Sequence, residues 1–163
     1  MSTSDVTRVT KIDELMREMR LMSSFDSLFS QAVAERVGMH QTDIETLDLL
    51  NTLGPMTAGE LSARTGLTSG ATTRLIDRLE RKGYVRRCAD ETDRRCVIIE
   101  PVPENLDKLG ALFQPMADAM AQLWSKLDDR ELDVITEFVR RNNAVVAELN
   151  ARMRAGPASG DDE

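Results

Sequence analysis

The 163-residue sequence has few of the residues on which several protein classes depend. Two cysteines, one histidine and 4% aromatic residues are too few for a disulfide-stabilised secreted domain or a histidine-rich metal site. No apolar run approaches the roughly 20 residues of a membrane-spanning helix, and the first residues lack the apolar stretch of a signal peptide. These absences predict a cytoplasmic protein that has no membrane partner and binds no metal.

Catalytic motifs are missing as well. The sequence has no glycine-rich phosphate loop, no nucleophile beside a base and no evident carboxylate pair. His40 has no partners at zinc-binding spacing, and we expect it to shape the start of the second helix; binding of a ligand carboxylate is the alternative. The sequence therefore predicts neither an enzyme nor a cofactor.

The formal net charge of −7 argues against a nucleic-acid partner until its distribution is considered. The segment from Arg64 to Arg95 holds nine basic and five acidic residues, a local charge of +4 that leaves −11 for the remainder. A protein that meets phosphates with one face and is anionic elsewhere has this distribution. The alternative is a solvated helix face with no partner.

The first third of the chain has the apolar spacing of a helix. From Thr10 to about Val37 apolar residues recur every three or four positions, which predicts one long amphipathic helix. No neighbouring segment can cover this stripe, so it must pack on distant helices or on a second copy of the chain. We expect a flexible stretch over residues 1–9 and a dimerisation helix over residues 10–40.

Two shorter helices follow, each with its own boundary signals. The second helix runs from about residue 42 to 53 and is stopped by Gly54-Pro55. Thr57 and Glu60 form a capping box that starts the third helix. Gly66 occupies the place of a left-handed C-terminal cap, so the third helix is short.

A fourth helix and a hairpin complete this region. Thr68 or Ser69 caps a helix that runs to Lys82 and is closed by Gly83, which gives the outline of a helix-turn-helix. Residues 84–89 and 95–100 then alternate like strands around a polar turn, which predicts a β-hairpin. A symmetric hairpin would place its two cysteines opposite each other, as buried free thiols or, alternatively, as a cross-strand disulfide.

The final third returns to helical spacing. Pro115 interrupts the fifth helix and must kink or restart it, and Asp128 to Glu131 looks like the N-terminal cap of a sixth. We expect a winged helix-turn-helix domain over residues 41–101, C-terminal dimerisation helices over 102–154 and a disordered tail over 155–163. The fold class is mainly α with a small β-hairpin wing.

The fourth helix has a polar face suited to DNA. At about 100° per residue, the core side carries Ala71, Leu75, Ile76 and Leu79, with Thr72 beside them. The opposite side carries short polar groups and charged residues: Ser69, Gly70, Thr73, Arg74, Asp77 and Arg81. Glycine and small polar side chains let the backbone approach base edges, and arginine bonds guanine or phosphate. This pattern predicts a recognition helix.

Three segments of this region together resemble the MarR family of winged helix-turn-helix regulators: Gly54–Ser62, Leu67–Arg87 and Asp90–Ile98. The resemblance implies a homodimer built from the first and last helices, which binds double-stranded DNA at a near-palindromic operator and represses nearby genes. It also implies release by a small amphipathic or aromatic ligand. The chain departs from the family at residues 101–105, where Pro-Val-Pro-Glu-Asn replaces the usual Leu-Thr-Pro-Glu-Gly.

Candidate contacts follow from the resemblance and from the charge pattern. Major-groove readers are Ser69, Gly70, Thr73, Arg74 and Asp77. Backbone contacts are Thr68, Arg64, Arg78, Arg81 and Arg86. Minor-groove residues of the wing are Asp93, Arg94 and Arg95, with Asp93 fixing the neighbouring guanidinium. Candidate ligand contacts are Met22, Phe25 and His40.

One function from another class is the alternative. The chain could be a protein-interaction module that keeps the winged scaffold without specific DNA binding. The basic residues on both the fourth helix and the hairpin favour DNA binding over this alternative.

Overall fold

A computed structural model describes residues 3–90 and 95–155, and it confirms the mainly α fold with a small sheet. The chain divides into two compact units, Met1–Leu109 and Gly110–Glu163. In chain order the elements are α1 (Thr3–Arg36), α2 (Gln41–Leu53), β1 (Met56–Thr57), α3 (Ala58–Thr65), α4 (Ser69–Arg81), β2 (Val85–Ala89), β3 (Val97–Pro101), α5 (Pro103–Trp124) and α6 (Asp129–Ala155).

Helix α1 begins at Thr3, seven residues before the predicted Thr10, so residues 3–9 are helical rather than flexible. Only its C-terminal end is well covered: Val33 and Ala34 are buried where α1 packs on α2. The apolar stripe further towards the N-terminus is exposed in the single chain. The predicted tail lies outside the described residues from position 156 onward.

Local capping signals fix the helix-turn-helix as predicted. The Thr57 hydroxyl accepts a hydrogen bond from Glu60 N at 3.1 Å, and Thr57 N donates to the Glu60 carboxylate at 2.7 Å. Gly66 ends α3 with φ 75°, in the left-handed region where a side chain would be strained. Thr68, rather than Ser69, caps α4 by accepting from Ala71 N at 3.3 Å.

The core of the first unit lies between α2, α3, α4 and the sheet. Its members are apolar side chains of at most 2% exposure: Leu47, Leu50, Leu61, Leu75, Ile76, Leu79, Val85 and Ile99. Burial of one such side chain contributes about 1.5–3 kcal/mol. Of the residues predicted to lie on the core side of α4, Leu75, Ile76 and Leu79 are in this set, Thr72 is also buried and Ala71 is half-buried. The opposite face of the helix is turned to solvent.

The sheet has three antiparallel strands in the order β1-β3-β2, one more than the predicted hairpin. The two-residue strand β1 pairs Met56 with Ile99. The predicted hairpin forms from β2 and β3, but the predicted pairing of its cysteines is wrong, since Cys88 lies opposite Ile98 and not opposite Cys96. Both thiols are free, and this register removes the geometry on which a cross-strand disulfide depended.

Helix α5 begins at Pro103, a favourable first position because proline lacks the N–H that would have no acceptor there. Asn105 stabilises this start by donating through Nδ2 to the Gly83 carbonyl at 2.8 Å. The helix continues through Pro115, so the predicted restart does not occur. Ala111, whose carbonyl loses its partner at the proline, is exposed to water that can satisfy it.

The second unit contains the rest of α5 and all of α6. Asp128 and Glu131 form the predicted reciprocal cap at the start of α6, with hydrogen bonds of 2.9 and 2.8 Å. Across the described part of the chain, no helix has the length and apolar character required to cross a bilayer.

Candidate nucleic-acid interface

One face of α4 is exposed along its whole length. Ser69, Gly70, Thr73, Arg74 and Arg81 all lie on it, as the helical spacing predicts. The Thr73 hydroxyl donates to the Ser69 carbonyl at 3.0 Å, so its oxygen still has a lone pair for an external donor. This face offers small polar groups at the N-terminal turn, one cation near the middle of the helix (Arg74) and one at its C-terminal end (Arg81).

Arg74 is the cation nearest to that N-terminal turn. Its Nη1 lies 3.8 Å from the point where a Cβ on Gly70 would stand. The guanidinium therefore folds back over the glycine, which leaves room for it. Among residues 3–90 and 95–155, no carboxylate forms an ion pair with either Arg74 or Arg81.

Arg78, expected to contact the DNA backbone, has an internal partner instead. Its Nε donates to both carboxylate oxygens of Asp43, at 3.1 and 2.9 Å. Asp43 is fully buried and the Arg78 side chain is 29% exposed. This hydrogen bonding raises the pKa of Arg78, which marks a favourable pair. The geometry argues against a main role for Arg78 at phosphates.

Asp77, expected to read a base, belongs to a clamp between α4 and the wing. Nη2 of Arg87, on β2, lies 2.5 Å from Asp77 Oδ1, and Nη1 of the same arginine pairs with Glu80. The backbone N–H of Arg87 also donates to Glu80 at 3.2 Å. The hydrogen bond to Asp77 is the main cause that raises the pKa of Arg87. The clamp fixes the angle between β2 and α4.

Arg86 points to the other side of β2 and pairs across the sheet with Glu100 on β3, 2.8 Å away. Its side chain stays 65% exposed, so phosphate could compete with Glu100 for it. The Cys88 thiol lies 3.4 Å from the same carboxylate. Desolvation, and then this hydrogen bond, raise the pKa of Cys88 and lower its fraction of reactive thiolate.

The remaining predicted DNA contacts lie in α3, at the start of α4 and in the wing. Arg64 and Arg95 are exposed, the first in the last turn of α3 and the second before β3. Thr68 is exposed at the N-cap of α4. Asp93 and Arg94 lie outside the described residues, so the minor-groove set stays a prediction.

The three candidate ligand residues are not brought into one described cavity. Met22 and Phe25 are exposed on α1, the phenyl ring to 64%. His40 is exposed at the N-cap of α2, where its backbone N–H donates to Asp43 at 3.1 Å. The prediction that His40 shapes the start of this helix is thus confirmed through its backbone.

Asp43, Lys82 and Arg87 were missed as site residues. Two of them act through a partner far away in the sequence: Asp43 and Arg78 are 35 positions apart, and Lys82 donates to the Gly38 carbonyl 44 positions earlier. Of the three, only Arg87 had a local signal in the sequence. Its partners Asp77 and Glu80 are one helical turn apart on α4, and Arg87 follows them closely, just beyond Gly83. In the described part of the chain, no cluster of three or more His, Cys, Asp or Glu side chains could hold a metal ion.

Known proteins share both the sequence and the fold of this region. The model of the MarR family matches residues 39–97. The uncharacterized HTH-type transcriptional regulator YcgE of Bacillus subtilis (strain 168) is 40% identical over 127 residues, which cover 78% of this chain and 82% of that protein. The transcriptional repressor MprA of Escherichia coli (strain K12) is 30% identical over 82 residues, 50% of this chain and 47% of the repressor.

Solved structures extend the likeness in fold to most of the chain. A MarR family protein from Bacillus stearothermophilus superposes with a TM-score of 0.65 at 23% identity, covering 84% of this chain and 96% of that one. The apo form of wild-type MarR from E. coli gives a TM-score of 0.55 at 20% identity, covering 78% and 94% of the two chains. The similar proteins are named as regulators of transcription, not as enzymes.

Proposed function

The chain belongs to the MarR family of DNA-binding transcriptional regulators, and from this premise we propose that it binds a near-palindromic operator as a homodimer and represses transcription. The exposed polar face of α4 carries this proposal. It joins small side chains, a glycine and two cations that no carboxylate neutralises among the described residues. Base edges in a major groove are read by such a set.

The proposed contacts keep most of the predicted ones. Ser69, Gly70, Thr73 and Arg74 read the major groove. Backbone phosphates are contacted by Thr68, Arg64, Arg81 and Arg86. Wing contacts in the minor groove come from Arg94 and Arg95, with Asp93 as their predicted support. Asp77 and Arg78 leave the contact set because each is held by an internal partner.

The apolar surfaces of α1 and α6 support a homodimer. Within residues 129–154 of α6 no side chain is buried. Even the apolar side chains Val134, Val145 and Leu149 are each more than half exposed. Large apolar surfaces of this kind mark association sites in soluble proteins. Two recognition helices related by a two-fold axis would enter successive major grooves about 34 Å apart, which matches a palindromic site.

Two finer parts of the proposal concern the direction of regulation and its release by a ligand. Repression is favoured because the related MprA is named a transcriptional repressor. Release by a small amphipathic or aromatic ligand fits the exposed Met22 and Phe25 on α1, since methionine adapts to varied shapes. His40 is the third proposed contact, for a ligand carboxylate. A rise in melting temperature with small aromatic acids would test this part.

Arg74→Ala tests the DNA-binding proposal. On the DNA upstream of its own gene we expect the variant to lose about 1–3 kcal/mol of specific binding, because a bidentate contact to a base disappears. On a random duplex of equal length the loss should be small. Fluorescence anisotropy at fixed salt measures both affinities.

The matched control is Arg17→Ala, which removes an exposed arginine of α1. Equal losses of Arg74→Ala on both duplexes would make Arg74 a phosphate contact. A wild type that binds the upstream DNA no better than random duplex would refute the operator and favour a protein-interaction module.

A further inference from the structure

Arg78 of α4 and Lys82, which directly follows this helix, are tied to the first turn of α2 and to the turn between α1 and α2. Arg78 bonds Asp43 in the first turn of α2, and Lys82 donates through Nζ to the Gly38 carbonyl at 2.7 Å. We call these two contacts, Arg78–Asp43 and Lys82–Gly38, the helix latch. Neither is explained by the DNA-binding face, because both lie where α4 meets the rest of its unit.

The Asp43 end of the latch is fully enclosed. Its carboxylate accepts from Arg78 and from His40 N at 3.1 Å, so it joins α4 to the N-terminal end of α2. Among the described residues, no buried side-chain N or O atom lacks a hydrogen-bond partner. A planar guanidinium held by both oxygens of a carboxylate has one favourable orientation, so this contact fixes direction as well as distance.

The Lys82 end holds the next turn of the helix. Lys82 follows Arg78 by four positions and is exposed, so its ammonium reaches the Gly38 carbonyl from outside. Gly38 has φ 63°, in the turn that ends α1. Two ties one turn apart oppose both rotation of α4 about its axis and sliding along it.

Apolar packing alone would not define this orientation so sharply. Leu75, Ile76 and Leu79 hold α4 against the core, but the hydrophobic effect has no directional preference. Buried ion pairs are seldom more stabilising than apolar residues of the same volume, and their best-attested use is to specify one arrangement. The latch is therefore suited to orienting α4 relative to α1.

We propose that the helix latch is a positioning device that sets the distance between the two half-sites that the dimer reads. It rests on the proposed function, in which α1 belongs to the dimer interface and α4 enters the groove. The latch joins α4 to the first turn of α2 and to the turn that follows α1, and α2 packs on α1. Each recognition helix is thereby placed relative to the two-fold axis. A loosened latch lets the two helices fit several spacings.

Selection of duplexes from a random-sequence library tests this and does not require that the operator be known. Wild type, Asp43→Asn and Lys82→Met are each used to enrich DNA, and affinities are then measured for selected sites lengthened or shortened by one base pair. We expect wild type to prefer one spacing and each latch variant to lose about 2- to 30-fold of that preference. Binding to one half-site should change less.

The control is Glu45→Gln, which neutralises an exposed carboxylate on α2, the helix that also carries Asp43. Among the described residues Glu45 bonds only Gln41. It should keep the wild-type spacing. If Asp43→Asn does not fold, Lys82→Met alone tests the latch, because the Lys82 side chain is exposed and its replacement leaves the core intact.

The outcomes separate the two proposals. A wild type that enriches no paired half-sites overturns the operator and the latch together. If the wild type selects one half-site spacing and the folded latch variants prefer that spacing just as strongly, the latch proposal is overturned and the proposed function stands.

Discussion

The winged-helix segment, residues 39–101, and helix α6 contain the same kinds of apolar side chain and expose them differently. In the first, Leu47, Leu50 and Leu79 are at most 1% exposed. In the second, Leu149 is 52% exposed. The winged-helix segment is therefore stabilised by contacts within its own unit, whereas α6 exposes apolar side chains of the kind that mark association sites.

Charged side chains differ between the two regions in a similar way. The ion pairs of α6, such as Arg141 with Glu137, join residues one turn apart on an exposed helix and are worth little. Those of the winged-helix segment join different elements: α4 with α2 through Arg78, and α4 with β2 through Arg87. The ion pairs of α6 therefore lie on its surface without joining elements, whereas those of the winged-helix segment orient its elements relative to one another.

The same substitution in both regions is the strongest test of this contrast. Leu79→Ala should lower the free energy of unfolding by about 2–5 kcal/mol, because it leaves a cavity in a closed core. Leu149→Ala should change it by less than about 0.5 kcal/mol at concentrations that keep the chain monomeric. Urea denaturation at two protein concentrations measures both, and equal losses would show that α6 is as enclosed as the core.

A charge placed on the apolar side of α6 gives the next largest effect. Phe138→Asp should weaken the dimer by about 2 kcal/mol or more, roughly 30-fold in the dissociation constant, because a large side chain is lost from a desolvated interface. Sedimentation equilibrium measures the constant. Ala144→Asp, an exposed position on the far side of the helix, should leave it unchanged. Dimers of equal strength in both variants would move the interface away from α6.

The helix-turn-helix was predictable from sequence because its boundaries are local. Thr57 with Glu60, and Gly66 at the end of α3, act within a few residues of their own position, and the structure shows both as predicted. The polar face of α4 was predictable for the same reason, since it follows from helical spacing alone.

What was missed depends on contacts between distant residues. Strand β1 has two residues, too few for any alternation, and exists only because β3 pairs with it. The hairpin register sets Cys88 opposite Ile98, two residues away from the Cys96 that a turn centred on Thr92 predicted. Sequence pattern also made both Arg74 and Arg78 candidate DNA contacts. The buried carboxylate of Asp43, 35 positions before Arg78, holds Arg78 inside the domain, and no local signal predicts that contact.

The smallest expected effect concerns the capping box of α3. Hydrogen bonds from the backbone and hydroxyl of Thr57 favour the ionised Glu60 carboxylate and lower its pKa in the folded chain. Since the folded pKa is below the unfolded one, this contribution to stability is present above the unfolded pKa and lost as the pH falls through the folded one.

Glu60→Gln isolates that contribution, because glutamine can still close the capping box but does not titrate. Wild type should be the more stable protein at neutral pH, and the difference should shrink towards zero as the pH falls below about 4. Thermal unfolding of both proteins at a series of pH values measures it, and other carboxylates cancel in the difference. A difference that stays constant across the series would mean that the Glu60 charge adds nothing to the cap.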